Sequence, residues 1–166
     1  MQSLSSARSM SSHLITLGAS VFLALFLFAG FAKAASVNVD ANGLALQGYD
    51  PVAYFSENAA VKGGASVTAE YNGSKYQFKN AENRDLFLAN PSKYAPQYGG
   101  YCAYAASKGA LAKGDPEAWT IYEGKLYLNF SKSVRSIWQQ DIPGHIEKAN
   151  TNFPKLLETW PNVTEW

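Results

Sequence analysis

The residue with the richest chemistry in this chain is Cys102, its only cysteine. It follows Gly99-Gly100-Tyr101 and precedes Ala103-Tyr104, so paired glycines allow close backbone approach to a sulfur flanked by tyrosines. A single thiol excludes an internal disulfide and a four-cysteine zinc knuckle. As a metal ligand, Cys102 needs partners of other types, and His145, Asp50 and Tyr49 are the candidates, with Asp115 and Tyr54 as further oxygen donors. Thiolate plus imidazole suits copper or zinc, and carboxylate or phenol oxygen can complete the shell. As a nucleophile, Cys102 would pair with His145, with Asn129 as orienting group. The local sequence Gly-Gly-Tyr-Cys-Ala-Tyr, however, carries no cysteine-hydrolase signature. The plainest alternative is an inert thiol packed among aromatic rings.

Each partner also has an ordinary structural reading. Asp50 precedes Pro51 and Asp115 precedes Pro116, and Asp and Pro form turns in any fold. His145, on a terminal helix, reads first as a solvated surface residue. Spacing alone does not bring Cys102 and His145 together; the intervening elements must.

Those elements begin after an expected signal peptide. Residues 1–13 carry Arg8 and no acid, Leu14–Phe31 is apolar, and Ala32-Lys33-Ala34 supplies the small-residue pattern of a signal-peptidase site, which places the cut before Ala35. The longest clean apolar run, Val21–Ala29, is shorter than the roughly 20 residues of a membrane span. An exported protein, periplasmic or secreted, is expected, with one globular domain over residues 35–166. Removing Arg8 and Lys33 from the 14 basic residues leaves 12 against 13 acidic ones. Near-neutral charge gives no electrostatic footprint for nucleic acid, and none for a membrane once the signal is cleaved.

Within the domain no internal repeat is apparent, and turn residues recur at short intervals. Gln47–Pro51 reads as a turn, after which Val52–Phe55 resumes. Val67, Ala69 and Tyr71 alternate up to Asn72-Gly73, and Tyr76 and Phe78 alternate away from it. Trp119 and Ile121 lead to Glu123-Gly124, and Leu126, Leu128 and Phe130 return. Both hairpins should set one aromatic face on a common core. Asn80 is placed to cap a helix ending at Asn90, and Ser131 to cap a helix closed by Pro143, with a further short helix near His145–Ala149. The expectation is an α+β fold with a small antiparallel sheet and short packing helices. Trp160 and Trp166 should fold back or fray.

The order of segments resembles the YHS-domain family over about residues 44–150. It is carried by Gly48-Tyr49-Asp50-Pro51-Val52-Ala53-Tyr54-Phe55, Tyr76-Gln77-Phe78, Asn90-Pro91-Ser92-Lys93-Tyr94 and Tyr98-Gly99-Gly100-Tyr101-Cys102-Ala103-Tyr104. The resemblance implies a small module of heavy-metal handling, found in or beside copper-transporting pumps. Two departures accompany it. Metal-associated relatives read Asp-Pro-Val-Cys where this chain has Asp50-Pro51-Val52-Ala53, and the Tyr-His-Ser tripeptide corresponds to Phe78-Lys79-Asn80. Three functions follow as expectations: an exported binding module for copper or zinc with Cys102 as leading ligand, a metal-free module for a small molecule or partner with a buried structural cysteine, and a thiol-dependent enzyme.

Overall fold

The computed structural model describes residues 37–159, so the expected signal segment, Trp160 and Trp166 lie outside the described residues. The fold is α+β. Two hairpins form where the alternation and the turn residues place them: β1 (Gly64–Tyr71) pairs with β2 (Ser74–Phe78), and β3 (Asp115–Tyr122) with β4 (Lys125–Asn129). They make two separate two-stranded sheets rather than one. Asn72-Gly73 and Glu123-Gly124 all adopt positive φ, as tight hairpin turns require.

Around them pack α1 (Ala53–Ser56), α2 (Ala81–Ala89), α3 (Pro91–Tyr94), α4 (Ala103–Ser107), α5 (Lys132–Trp138) and α6 (Ile142–Thr159). Asn80 caps α2 by accepting from Asn83 N–H at 2.8 Å, and Ser131 caps α5 by accepting from Val134 N–H at 3.2 Å. Three expectations are corrected. Val52–Phe55 turns into a helix, because the Asp50 side chain takes up the first free N–H groups. Pro143 sits in the first turn of α6, where its missing N–H costs nothing, so it opens an 18-residue helix instead of closing the one before it. Phe130 lies beyond β4 and is half exposed.

The chain also contains an internal repeat, contrary to the sequence reading. The pairs Gly64–Phe78, Thr68–Gln77, Ala69–Tyr76, Glu70–Lys75 and Tyr71–Ser74 of the first hairpin correspond, at one constant offset, to Asp115–Asn129, Trp119–Leu128, Thr120–Tyr127, Ile121–Leu126 and Tyr122–Lys125 of the second. Each register slips at the same place, between Gly64 and Thr68 and between Asp115 and Trp119. Upstream, Leu46-Gln47-Gly48 and Tyr98-Gly99-Gly100 are both left-handed at all three residues. Tyr49 bridges Lys62 and Tyr101 bridges Lys113. Gly63 and Gly114 match as well: a Cβ would lie 2.5 Å from the Gln77 carbonyl carbon in one and 2.3 Å from Gly100 O in the other. Downstream, α2 and α5 follow equivalent caps and bury Phe87 and Trp138 at equivalent positions. Each unit therefore reads left-handed turn, capped short helix, bulged hairpin, capped helix.

The two units share a core. Tyr76, Phe78 and Phe87 of the first and Leu126 and Leu128 of the second belong to one apolar cluster with Val52 and Tyr54. Tyr54 packs edge-on against Trp119, with ring centroids 5.2 Å apart. A second cluster of Ala103, Tyr127 and Trp138 lies under α6.

Candidate functional site

Asp50 and Cys102 occupy the same place in the two repeats, one residue after the Tyr that follows the left-handed turn. Asp50 is fully buried. Its Oδ1 accepts Val52 N–H at 2.8 Å and Ala53 N–H at 3.4 Å, and its Oδ2 accepts Lys79 N–H at 2.8 Å and Asn83 Nδ2–H at 2.7 Å. Four donors converge on one carboxylate, tying the start of α1 to the end of β2 and to α2. A buried acid so surrounded is held by the fold. It has no idle oxygen to offer an ion.

The nest around Cys102 has the same plan. Cys102 is buried, and its Sγ accepts Ala105 N–H at 3.4 Å as the cap of α4. Phe130 and Tyr104 also direct backbone N–H groups at the sulfur. By repeat position, Tyr104, Ala105 and Phe130 answer to Val52, Ala53 and Lys79, three of the four groups that hold Asp50. Cys102 Sγ lies 3.8 Å from Asn129 Oδ1, which the thiol reaches as a long donor. Asn129 Oδ1 also accepts Tyr104 N–H at 3.2 Å, which fixes the orientation of the amide. The amide's Nδ2 is buried with no hydrogen-bond partner. Burial pushes the Cys102 thiol above its ordinary pKa, and the three backbone N–H groups pull it partly back. The resting sulfur is a protonated thiol.

His145 is buried, not solvated as the sequence suggested. The Ser107 hydroxyl donates to Tyr104 O at 2.7 Å, which uses its single proton. The 3.0 Å contact between Ser107 Oγ and His145 Nδ1 is therefore an Nδ1–H donation, leaving the lone pair on Nε2. The imidazole also meets the Tyr104 ring edge-on at 5.1 Å. Burial, then the Lys108 charge, lowers its pKa, so the neutral ring is favoured. Asn152 Nδ2 donates nearby to Ala106 O and Ser107 O at 3.1 and 3.3 Å. His145 and Asn152 together fasten α6 onto α4.

Tyr49 donates its hydroxyl to Glu117 Oε1 at 3.1 Å beneath the Lys62 ammonium, 4.1 Å from the ring centroid. Partial burial and then the Glu117 contact raise its pKa, so the phenol stays protonated. Tyr54 donates to Pro116 O at 3.1 Å, and Asp115 accepts Glu117 N–H at 2.9 Å.

The four metal candidates thus enter four different hydrogen-bond groups: Cys102 with Asn129, Asp50 with Lys79 and Asn83, Tyr49 with Glu117, His145 with Ser107. Among the described residues no group of three or more His, Cys, Asp or Glu side chains is placed to hold a metal ion. No described helix is long and apolar enough to cross a membrane. Asn83 and Ser107 were invisible as partners in the sequence, since neither falls in a recognisable motif. The sequence suggests Asn129 only as a histidine orienter, whereas the fold sets it beside the sulfur. Comparisons with protein-family models, with curated proteins and with solved structures each found no match.

Proposed function

We propose that this chain is an exported binding module that works without a metal, in which Cys102 is a structural cap and the ligand is a partner protein. The observation that carries the reading is the equivalence of Cys102 and Asp50: both hold the same backbone donors in the two repeats, so the lone thiol has a structural task that needs no ion. The resemblance of the segment order to the YHS family is compatible with a small module, and the Ala at position 53 removes the second thiolate of its metal-associated members.

The surface offers the other half of the reading. Leu86, Leu88, Phe130 and Ile137 are large apolar side chains left 43–52% exposed. Leu86 and Ile137 hold equivalent positions on α2 and α5, so each repeat presents an aliphatic side chain from its capped helix. Covering these side chains is what a partner surface would do.

A photo-crosslinking side chain placed at 86 or at 137 in the exported protein tests this directly. One discrete adduct, lost when Leu88 is changed to Glu while the fold is retained, supports the reading. Absence of any adduct at both positions overturns the partner reading. Stoichiometric copper or zinc in the natively purified protein, lost in Cys102→Ala, would return Cys102 to the role of ligand.

A further inference from the structure

Each strand of a two-stranded sheet has an outer edge, and on β2, β3 and β4 something meets it. Ala45 N–H donates to Lys75 O of β2 at 2.9 Å, and Cys102 bridges Leu128 of β4 in parallel. On β3, Trp119 O accepts Arg135 Nη1–H at 2.9 Å. By repeat position, Trp119 answers to Thr68 of β1 and Arg135 to Arg84. Arg84, however, turns aside to Asp85, donating from Nε and Nη2 to Oδ1 at 2.9 and 2.8 Å. Among the described residues no backbone bridge or hydrogen bond reaches the outer edge of β1. An unpaired edge is a template for another strand.

The register decides what that edge offers. Tyr71 and Ser74 flank a two-residue turn, so the backbone groups of Tyr71 and Ala69 face β2 and those of Thr68 and Glu70 face outward. The same phase turns the carbonyl of Lys75, opposite Glu70, toward Ala45, and that of Trp119, in the place of Thr68, toward Arg135. Before Thr68 the ladder is broken by the bulge, so the regular edge is Thr68–Tyr71. Side chains alternate along it. Val67, Ala69 and Tyr71 are half-buried against the core, while Thr68 and Glu70 stand on the opposite face, and Glu70 is the only charge in β1.

We propose that the β1 edge is a homodimer interface, where a second copy adds its own β1 antiparallel about a two-fold axis at Ala69. An axis at Glu70 would set two like charges directly opposite each other. An axis at Thr68 would call on Ser66, which lies in the bulge. With the axis at Ala69, Thr68 of each copy pairs with Glu70 of the other, and each such pair exchanges both of its N–H···O=C bonds. On the core face Ala69 meets its own copy and Tyr71 lies opposite Val67, so the half-buried apolar side chains join into one strip. The two hairpins thereby become one four-stranded sheet. Such an interface is small, so the dimer is weak and fills as concentration rises. It uses none of Leu86, Leu88, Phe130 and Ile137, and it stands independently of the partner reading.

Sedimentation velocity on the mature protein at concentrations up to about 1 mM, a range that reaches weak complexes, reads the assembly. The expected result is a monomer–dimer equilibrium with nothing larger, because a two-fold contact closes on itself. Thr68→Lys sets a cation opposite Glu70 of the other copy, twice in each dimer, and should lower the dissociation constant several-fold. Thr68→Glu sets like charges there and should raise it several-fold. Thr68 lies opposite neutral Gln77 in its own hairpin, so both variants should keep the fold, which circular dichroism checks. A monomer at every concentration would overturn the proposal and leave the edge to a strand of another protein or to the chain's own terminal residues. A dimer indifferent to both charges at position 68, or open-ended assembly, would overturn it as well.

Discussion

Replacing Asp50 by Ala removes the acceptor of four buried donors at once. Three of them, Val52 N–H, Lys79 N–H and Asn83 Nδ2–H, are bonded at 2.8 Å or less. Leaving a buried donor unsatisfied costs about 1–3 kcal/mol, so three such losses come to the order of 3–9 kcal/mol. A domain of this size is stable by about 5–15 kcal/mol, so Asp50→Ala should lose a large share of the domain's stability. Cys102→Ala should be far milder, about 1–2 kcal/mol, because its sulfur bonds are 3.4 and 3.8 Å long and little volume is lost. Asp50→Asn should fall between, since it keeps one oxygen and turns a second donor toward donors. Urea unfolding followed by tryptophan fluorescence reads the three variants side by side. If Asp50→Ala unfolds within about 1 kcal/mol of the unmodified protein, or if Cys102→Ala is the more damaging change, the nest is not what holds the repeats together.

Other expectations follow from the same geometry. Gly63→Ala and Gly114→Ala each force a Cβ against backbone, so each should lower stability by about 1–3 kcal/mol in denaturant titration, despite φ values open to alanine. Gly73→Ala and Gly124→Ala meet no atom within 4 Å and should cost only the positive-φ strain, about 1 kcal/mol; equal losses at all four would refute the close approach at Gly63 and Gly114. His145 has a folded pKa below its ordinary value of 6.5, so the unfolded chain binds the proton more readily. Its contribution is complete above pH about 6.5 and is lost as pH falls below that value, and His145→Gln should flatten this part of a stability profile; a decline that survives the substitution would place its source elsewhere.

Much of the fold was legible because local chemistry and tertiary structure agree. Asn72-Gly73 and Glu123-Gly124 declare their hairpins, and Asn80 and Ser131 declare their helices, since both signals depend only on neighbouring residues. Asp50 reads as a turn former, and it is one, but its reach to Lys79 and Asn83 depends on tertiary packing that no spacing encodes. The repeat is hard to see in the sequence because its equivalence lies in backbone geometry. Only scattered identities survive, among them Tyr49 with Tyr101, Lys62 with Lys113, Gly63 with Gly114 and Tyr76 with Tyr127, and a one-residue difference in the loops before Lys62 and Lys113 breaks the offset. His145 reads as solvated because a lone histidine is more often a surface residue, yet its spacing from Ile142, Ala149 and Leu156 puts it on the apolar side of α6, visible only once the helix is known to begin at Ile142. Ser107, five residues beyond Cys102, is what draws it inward.

The central claim, that Cys102 is a protonated cap and not a ligand, is met most directly by its alkylation rate in the native protein. Iodoacetamide applied across a pH series, with and without a strong chelator, should find the sulfur protected to the same degree in both arms. The residual rate should rise only as the pH climbs past the ordinary thiol value, and full reaction should need unfolding. A rate that increases on chelation would contradict the account and make Cys102 a metal ligand, and rapid reaction near neutral pH would make it an exposed thiolate.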